Sequence, residues 1–90
     1  MQFYLPFDDV QYAAALKTHR QVRINLRQLR RSFPPITVET ARLLKHYRDL
    51  IQEFGRHLSR PRGRIDPRRL NDLSEQMVKT FINYLGARNE

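Results

Sequence analysis

The 90-residue chain contains no cysteine, no tryptophan and only three glycines. Without cysteine there is no disulfide framework, no thiolate zinc site and no cysteine nucleophile. The glycines, Gly55, Gly63 and Gly86, fall in no G-x-G or Walker spacing, so no glycine-rich phosphate loop is present. No apolar run approaches the ~20 residues of a membrane-spanning helix. The first residues, Met1 to Phe7, lack the basic start and apolar stretch of a secretory signal. These absences leave the expectation of a soluble, cytoplasmic domain with no membrane partner.

What the chain has in abundance is positive charge: 17 Lys+Arg against 9 Asp+Glu, a formal net charge of +8. At 40% hydrophobic residues, residues 1–90 can build one core but not two, so a single domain is expected. A domain this small buries only ~60% of its unfolded surface, which predicts modest stability without a partner.

Proline and glycine divide the chain into three segments long enough for helices and too long for typical strands. The first, about residues 8–32, opens with Asp8 and Asp9, favoured at a helix N-terminus. At 100° per residue it places Tyr12, Ala15, Leu16, Val22, Leu26, Leu29 and Phe33 on one face. The second, 37–59, has Thr37 as its N-cap and Glu39 in its first turn. Its apolar face is Leu43, Leu44, Tyr47, Leu50, Ile51, Phe54 and Leu58. The third, 66–86, starts with the capping pair Asp66-Pro67 and carries Leu70, Leu73, Met77, Phe81, Tyr84 and Leu85 at helical spacing, with Gly86 as its expected stop. Three amphipathic helices bury their stripes only against one another, so the reading is all-α, a three-helix bundle. Ahead of it stands a short aromatic leader, Phe3-Tyr4-Leu5-Pro6-Phe7, as an extended strand or a strap over the bundle.

The charge is unevenly distributed. Residues 8–32 carry +4, residues 36–59 carry +1, the linker arginines Arg60, Arg62 and Arg64 add +3, and residues 66–90 balance. In the first helix Arg20, Arg23, Arg27, Arg30 and Arg31 occupy a sector of about 100° beside the apolar stripe. The opposite flank holds uncharged Thr18, Gln21, Asn25 and Gln28, and no acidic residue lies between Asp9 and Glu39. Like charges at i,i+4, as in Arg23/Arg27 and Arg27/Arg31, repel by a few tenths of a kcal/mol. A helix needing only solubility would mix signs, so the stripe points to an anionic partner. Only Lys17, Lys45 and Lys79 are lysines. Arginine's planar fork binds phosphate in bidentate fashion, although a GC-rich genome would enrich arginine too.

No catalytic constellation is legible. His46 and His57 stand about 16 Å apart by helical rise, too far to share a metal ion. His19 falls on the apolar face of the first helix, where a satisfied, partly buried imidazole is the default. Most acidic residues mark helix starts or exposed faces. No metal site, cofactor or catalytic residue is expected, and the chain is read as not an enzyme. The aromatics lie mostly on apolar faces and are read as core, not as stacking platforms for bases.

The linker core Pro61-Arg62-Gly63-Arg64 resembles an AT-hook, with Ile65 where that motif closes on proline. A plain turn carrying exposed arginines is the favoured alternative. In size, helical build and cationic helix face, the chain resembles the small helical subunit of CRISPR effector complexes. That resemblance implies a non-catalytic protein that holds guide–target duplex or displaced strand, several copies lining up within a larger nucleoprotein complex of antiviral defence. The residues that would carry it are Arg20, Arg23, Arg27, Arg30, Arg31, Arg60, Arg62 and Arg64. The expected partner is therefore the backbone of DNA or RNA, bound with little sequence specificity, together with other protein subunits, copies of this chain among them. The competing expectation is an assembly module whose basic face docks on an acidic protein.

Overall fold

In the computed structural model, residues 8–89 are described. The aromatic leader lies outside them. Among the described residues the chain is all-helical: α1 Asp9–Ser32, α2 Val38–Leu58, a 3-10 turn at Arg62–Arg64, and α3 Pro67–Arg88.

Each helix begins where its capping residue dictates. The Asp8 carboxylate accepts from the Gln11 amide, and the Asp66 carboxylate from that of Arg68, with Pro67 supplying the preset first-turn φ. At α2, Thr37 and Thr40 cap each other. The Thr37 hydroxyl accepts from the Thr40 amide at 3.0 Å, and the Thr40 hydroxyl accepts from the Thr37 amide at 2.8 Å. Thr40 also accepts from the Ile36 amide and is fully buried, a polar device inside the apolar pattern.

Gly86 does not stop α3. The helix runs through it to Arg88, and Asn89 is the C-cap. Gly86 has no positive φ, so the left-handed termination that glycine permits is unused. The last turn is held instead from outside. The Tyr84 hydroxyl donates to the Phe33 carbonyl at 2.5 Å, Arg88 Nε donates to the Pro34 carbonyl at 2.7 Å, and the Arg88 guanidinium lies 5.6 Å from the Phe33 ring centre. The end of α3 is thereby tied to the α1–α2 connector.

The helices run alternately up and down, and α2 is the central one. Its buried row, Leu44, Tyr47, Leu50, Ile51, Phe54 and Leu58, meets Leu26 and Leu29 of α1 and Leu70, Leu73, Met77 and Tyr84 of α3. Ile65, from the second linker, is also core. α2 packs most extensively with α3, less with α1, and α1 and α3 barely meet. The bundle is accordingly elongated, 51 × 23 × 16 Å. Its radius of gyration is 15.0 Å, where a compact chain of this length has about 12 Å.

Two residues expected on the buried face of α1 are exposed: Leu16 by 42% and Phe33 by 45%. Leu16 sits at the arginine edge of the stripe, beyond the cover of α2. Phe33 is the C-cap, past the helix proper, where it serves as a platform for Arg88.

Candidate nucleic-acid interface

All five α1 arginines of the stripe are exposed. Among the described residues no carboxylate pairs with Arg20, Arg23, Arg27, Arg30 or Arg31; the ion pairs involve Arg48, Arg62 and Arg69. The packing of α1 on α2 divides the stripe in two. Arg27 and Arg31 line a shallow hollow with Ile24, Gln28 and Ser32. Arg23 and Arg30, two turns apart, turn toward α2 instead.

There they form one wall of an open groove of about 650 Å3. α1 contributes His19, Arg23, Leu26 and Arg30; α2 contributes Arg48, Ile51, Gln52, Gly55, Arg56 and Ser59. Four guanidinium groups and an imidazole thus share a groove whose lining, among the described residues, includes no acidic side chain. Arg23 to Arg30 spans about 10 Å of α1, and Arg48 to Arg56 about 12 Å of α2, by helical rise. Low local dielectric beside the Leu26 and Ile51 floor strengthens the field toward any anion that enters.

Two polar details mark the groove. Arg48 Nε is buried with no hydrogen-bond partner, although Arg48 Nη2 lies 3.6 Å from the Asp49 carboxylate. That ion pair is long and exposed and neutralises little. His19 is partly buried, its ring stacked on Phe54 with centroids 6.1 Å apart and planes 11° apart. Burial, then the neighbouring Arg23, hold its imidazole below the usual range, against a hydrogen bond to the Ile51 backbone that pulls the other way.

The second cationic element is the linker. Arg60, Arg62 and Arg64 are all exposed. The segment is a folded 3-10 turn, closed by the Arg64 amide donating to the Pro61 carbonyl at 2.8 Å and the Ile65 amide donating to the Arg62 carbonyl. Arg62 reaches back to the start of α1, where it pairs with the Asp9 carboxylate and lies 4.3 Å over the Tyr12 ring. Ile65 anchors the far end in the core. The linker is therefore the turn with exposed arginines, and Arg62 fastens it to α1.

Arg48 and Arg56 were not expected from the sequence, because residues 36–59 carry a net charge of only +1. The usable signal was positional: Arg48 follows Tyr47 and precedes Ile51 at the border of the α2 apolar stripe, so an antiparallel neighbour brings it beside Arg30. The other charged cluster is a scaffold. Arg69 joins α3 to α2 through Glu53 at 2.7 Å and also contacts Asp72 at 3.2 Å. That hydrogen bond lowers the carboxyl of Glu53 below its ordinary value. Desolvation, with Arg60 and Arg69 next, lowers His57. Among the described residues no group of three or more His, Cys, Asp or Glu is placed to hold a metal ion, and no helix is long and apolar enough to cross a membrane.

The opposite seam, between α1 and α3, has the reverse character. Two hollows along it share Thr18 and Ser74 and are floored by Phe54 and Tyr47 of α2. Among the described residues not one charged side chain lines either hollow, in a chain that is 29% charged. Val78 and Ile82 stand beside it on α3, 59% and 61% exposed.

Comparison of the chain with protein-family models, with curated proteins and with solved structures finds no match. The functional reading therefore rests on geometry and charge.

Proposed function

We propose that the chain is a non-catalytic nucleic-acid-binding protein that grips the phosphate backbone through the cationic face of α1. Arg48 and Arg56 of α2 complete that face, and Arg60, Arg62 and Arg64 extend it. The observation that carries the reading is the set of five exposed α1 arginines that have no carboxylate partner among the described residues, two of which share a groove with two arginines of α2. Unpaired guanidinium groups repel one another on an isolated chain, and a row of phosphates removes that cost by bidentate hydrogen bonding. Such contacts fix affinity and register but read no bases, so binding with little sequence specificity is expected. Arg62, held by Asp9 and Tyr12, fastens the linker that carries the exposed Arg60 and Arg64 to the start of α1.

The charge-free seam suits the chain to a place in a larger nucleoprotein complex, as the resemblance to the small helical CRISPR subunits implies. Its occupant is a second copy of this chain. Copies of a +8 protein repel wherever arginines face each other, and the α1/α3 seam is where they can approach without that penalty.

The test is fluorescence anisotropy with labelled single- and double-stranded DNA and RNA over a range of salt. Binding that weakens steeply with salt supports the reading. Absence of binding to all four at low salt, with tight binding to an acidic polypeptide such as polyglutamate, would transfer the basic face to a protein partner.

A further inference from the structure

We propose that the groove between α1 and α2 seats one backbone phosphate and that His19 takes up a proton as the phosphate enters, so that nucleic-acid binding tightens as pH falls. This rests on the phosphate-binding reading above and adds to it the regulation of the same site.

The groove is built around the ring of His19. Gly55, across from it on α2, has no side chain, and a Cβ there would lie 2.8 Å from His19 Nε2. The absence of that carbon leaves room for the imidazole, which stacks against Phe54 and lies near the Ile51 backbone. An imidazole carries one N–H when neutral; protonation adds a second N–H on the other nitrogen.

Among the described residues, every charged side chain that lines the groove with His19 is cationic. Arg23 and Arg30 stand on its own helix, Arg48 and Arg56 on α2, and α3 contributes nothing to the lining. In the empty groove a further positive charge is therefore opposed, in keeping with the lowered pKa of the imidazole. A phosphodiester reverses the balance: it brings the first negative charge into the groove and accepts hydrogen bonds from the new imidazolium N–H. The proton comes from solvent, and no covalent bond is made or broken.

The experiment uses the whole chain and a short oligothymidylate, whose diesters and bases hold constant charge between about pH 5.5 and 8. The dissociation constant is measured across that range at fixed salt, and the imidazole of His19 is followed by NMR with and without the oligonucleotide. The proposal expects the His19 titration midpoint to rise on binding. Affinity should increase as pH falls, by up to about tenfold for each unit of that rise. His19→Gln should bind with a flat pH profile, while His57→Gln keeps the slope. An unmoved His19 midpoint in the bound wild-type protein, or an unchanged pH slope in folded His19→Gln, would overturn the proposal and leave backbone binding standing. No binding at any pH at low salt would overturn both.

Discussion

His19 and Gly55 face each other across α1 and α2 so closely that a Cβ on Gly55 would sit 2.8 Å from Nε2 of His19 and one of the two would have to shift. Both residues line the cationic groove, and their contact couples the stability effects of substitutions at the two positions.

Glycine inside a helix costs about 0.5–1 kcal/mol relative to alanine. In the wild-type protein Gly55→Ala forfeits that gain, because His19 is held by Phe54 and by the Ile51 backbone and must leave its place. In a His19→Ala background the same substitution should stabilise the fold by about 0.5–1 kcal/mol. Urea unfolding of the four proteins measures the coupling; equal effects of Gly55→Ala in both backgrounds would contradict the close contact.

Thr40 is the polar exception in the core. Its hydroxyl accepts from the Ile36 and Thr37 amides, and it is fully buried. Thr40→Val keeps the shape and orphans both donors, so a loss of about 2 kcal/mol is expected. Thr40→Ser, which retains the acceptor, should recover most of it. A shift of the urea midpoint no larger than that of an exposed substitution such as Val38→Thr would show that the reciprocal cap contributes little.

Stability should fall with acid through the histidines. His19 and His57 are both held below 6.5, mainly by burial. The unfolded chain therefore binds protons first, and the folded state loses stability as pH falls from about 6.5 through the lowered values, with full stability only above about 6.5. Thermal melts from pH 8 down to 5 should show Tm falling through this window, and less so in His57→Gln. A Tm that rises across the same interval would contradict the burial of both rings. The lowered carboxyl of Glu53 acts further down, its pairing with Arg69 being lost only as pH falls through the folded value.

The charge-free seam makes an assembly prediction. Val78→Glu with Ile82→Glu places charge beside it without touching the arginine groove. Binding to an oligonucleotide that holds one copy should change little, while successive binding along a long strand becomes less cooperative. Loss of one-copy binding, or unaltered cooperativity, would remove the seam from the assembly.

Much of this architecture is legible in the sequence because local chemistry decides it. Asp8, Thr37 and Asp66-Pro67 mark the three helix starts within a residue, and the spacing from Leu44 to Leu58 marks the central helix. The third helix end is misjudged because Gly86 reads locally as a stop, whereas contacts from Tyr84 and Arg88 to residues more than 50 positions away prolong the helix. The α1 arginines stand out because they share one helix. Arg48 and Arg56 do not, since their nearness to Arg23 and Arg30 exists only after α1 and α2 pack. The linker shows the same limit: composition marks Arg62 as a free cation, and only the fold brings it to Asp9 and Tyr12.

The most direct test of the central claim is the salt dependence of duplex binding for the wild-type protein against Arg23→Gln/Arg48→Gln, which removes one guanidinium from each wall of the groove. Each phosphate contact contributes about 0.9 to the slope of log affinity against log salt on duplex DNA. If both arginines hold the one phosphate seated in the groove, the double variant, folded by circular dichroism, should bind more weakly at low salt with a slope shallower by about 0.9. Identical affinity and slope in the two proteins would place the nucleic acid, or its absence, somewhere other than this groove.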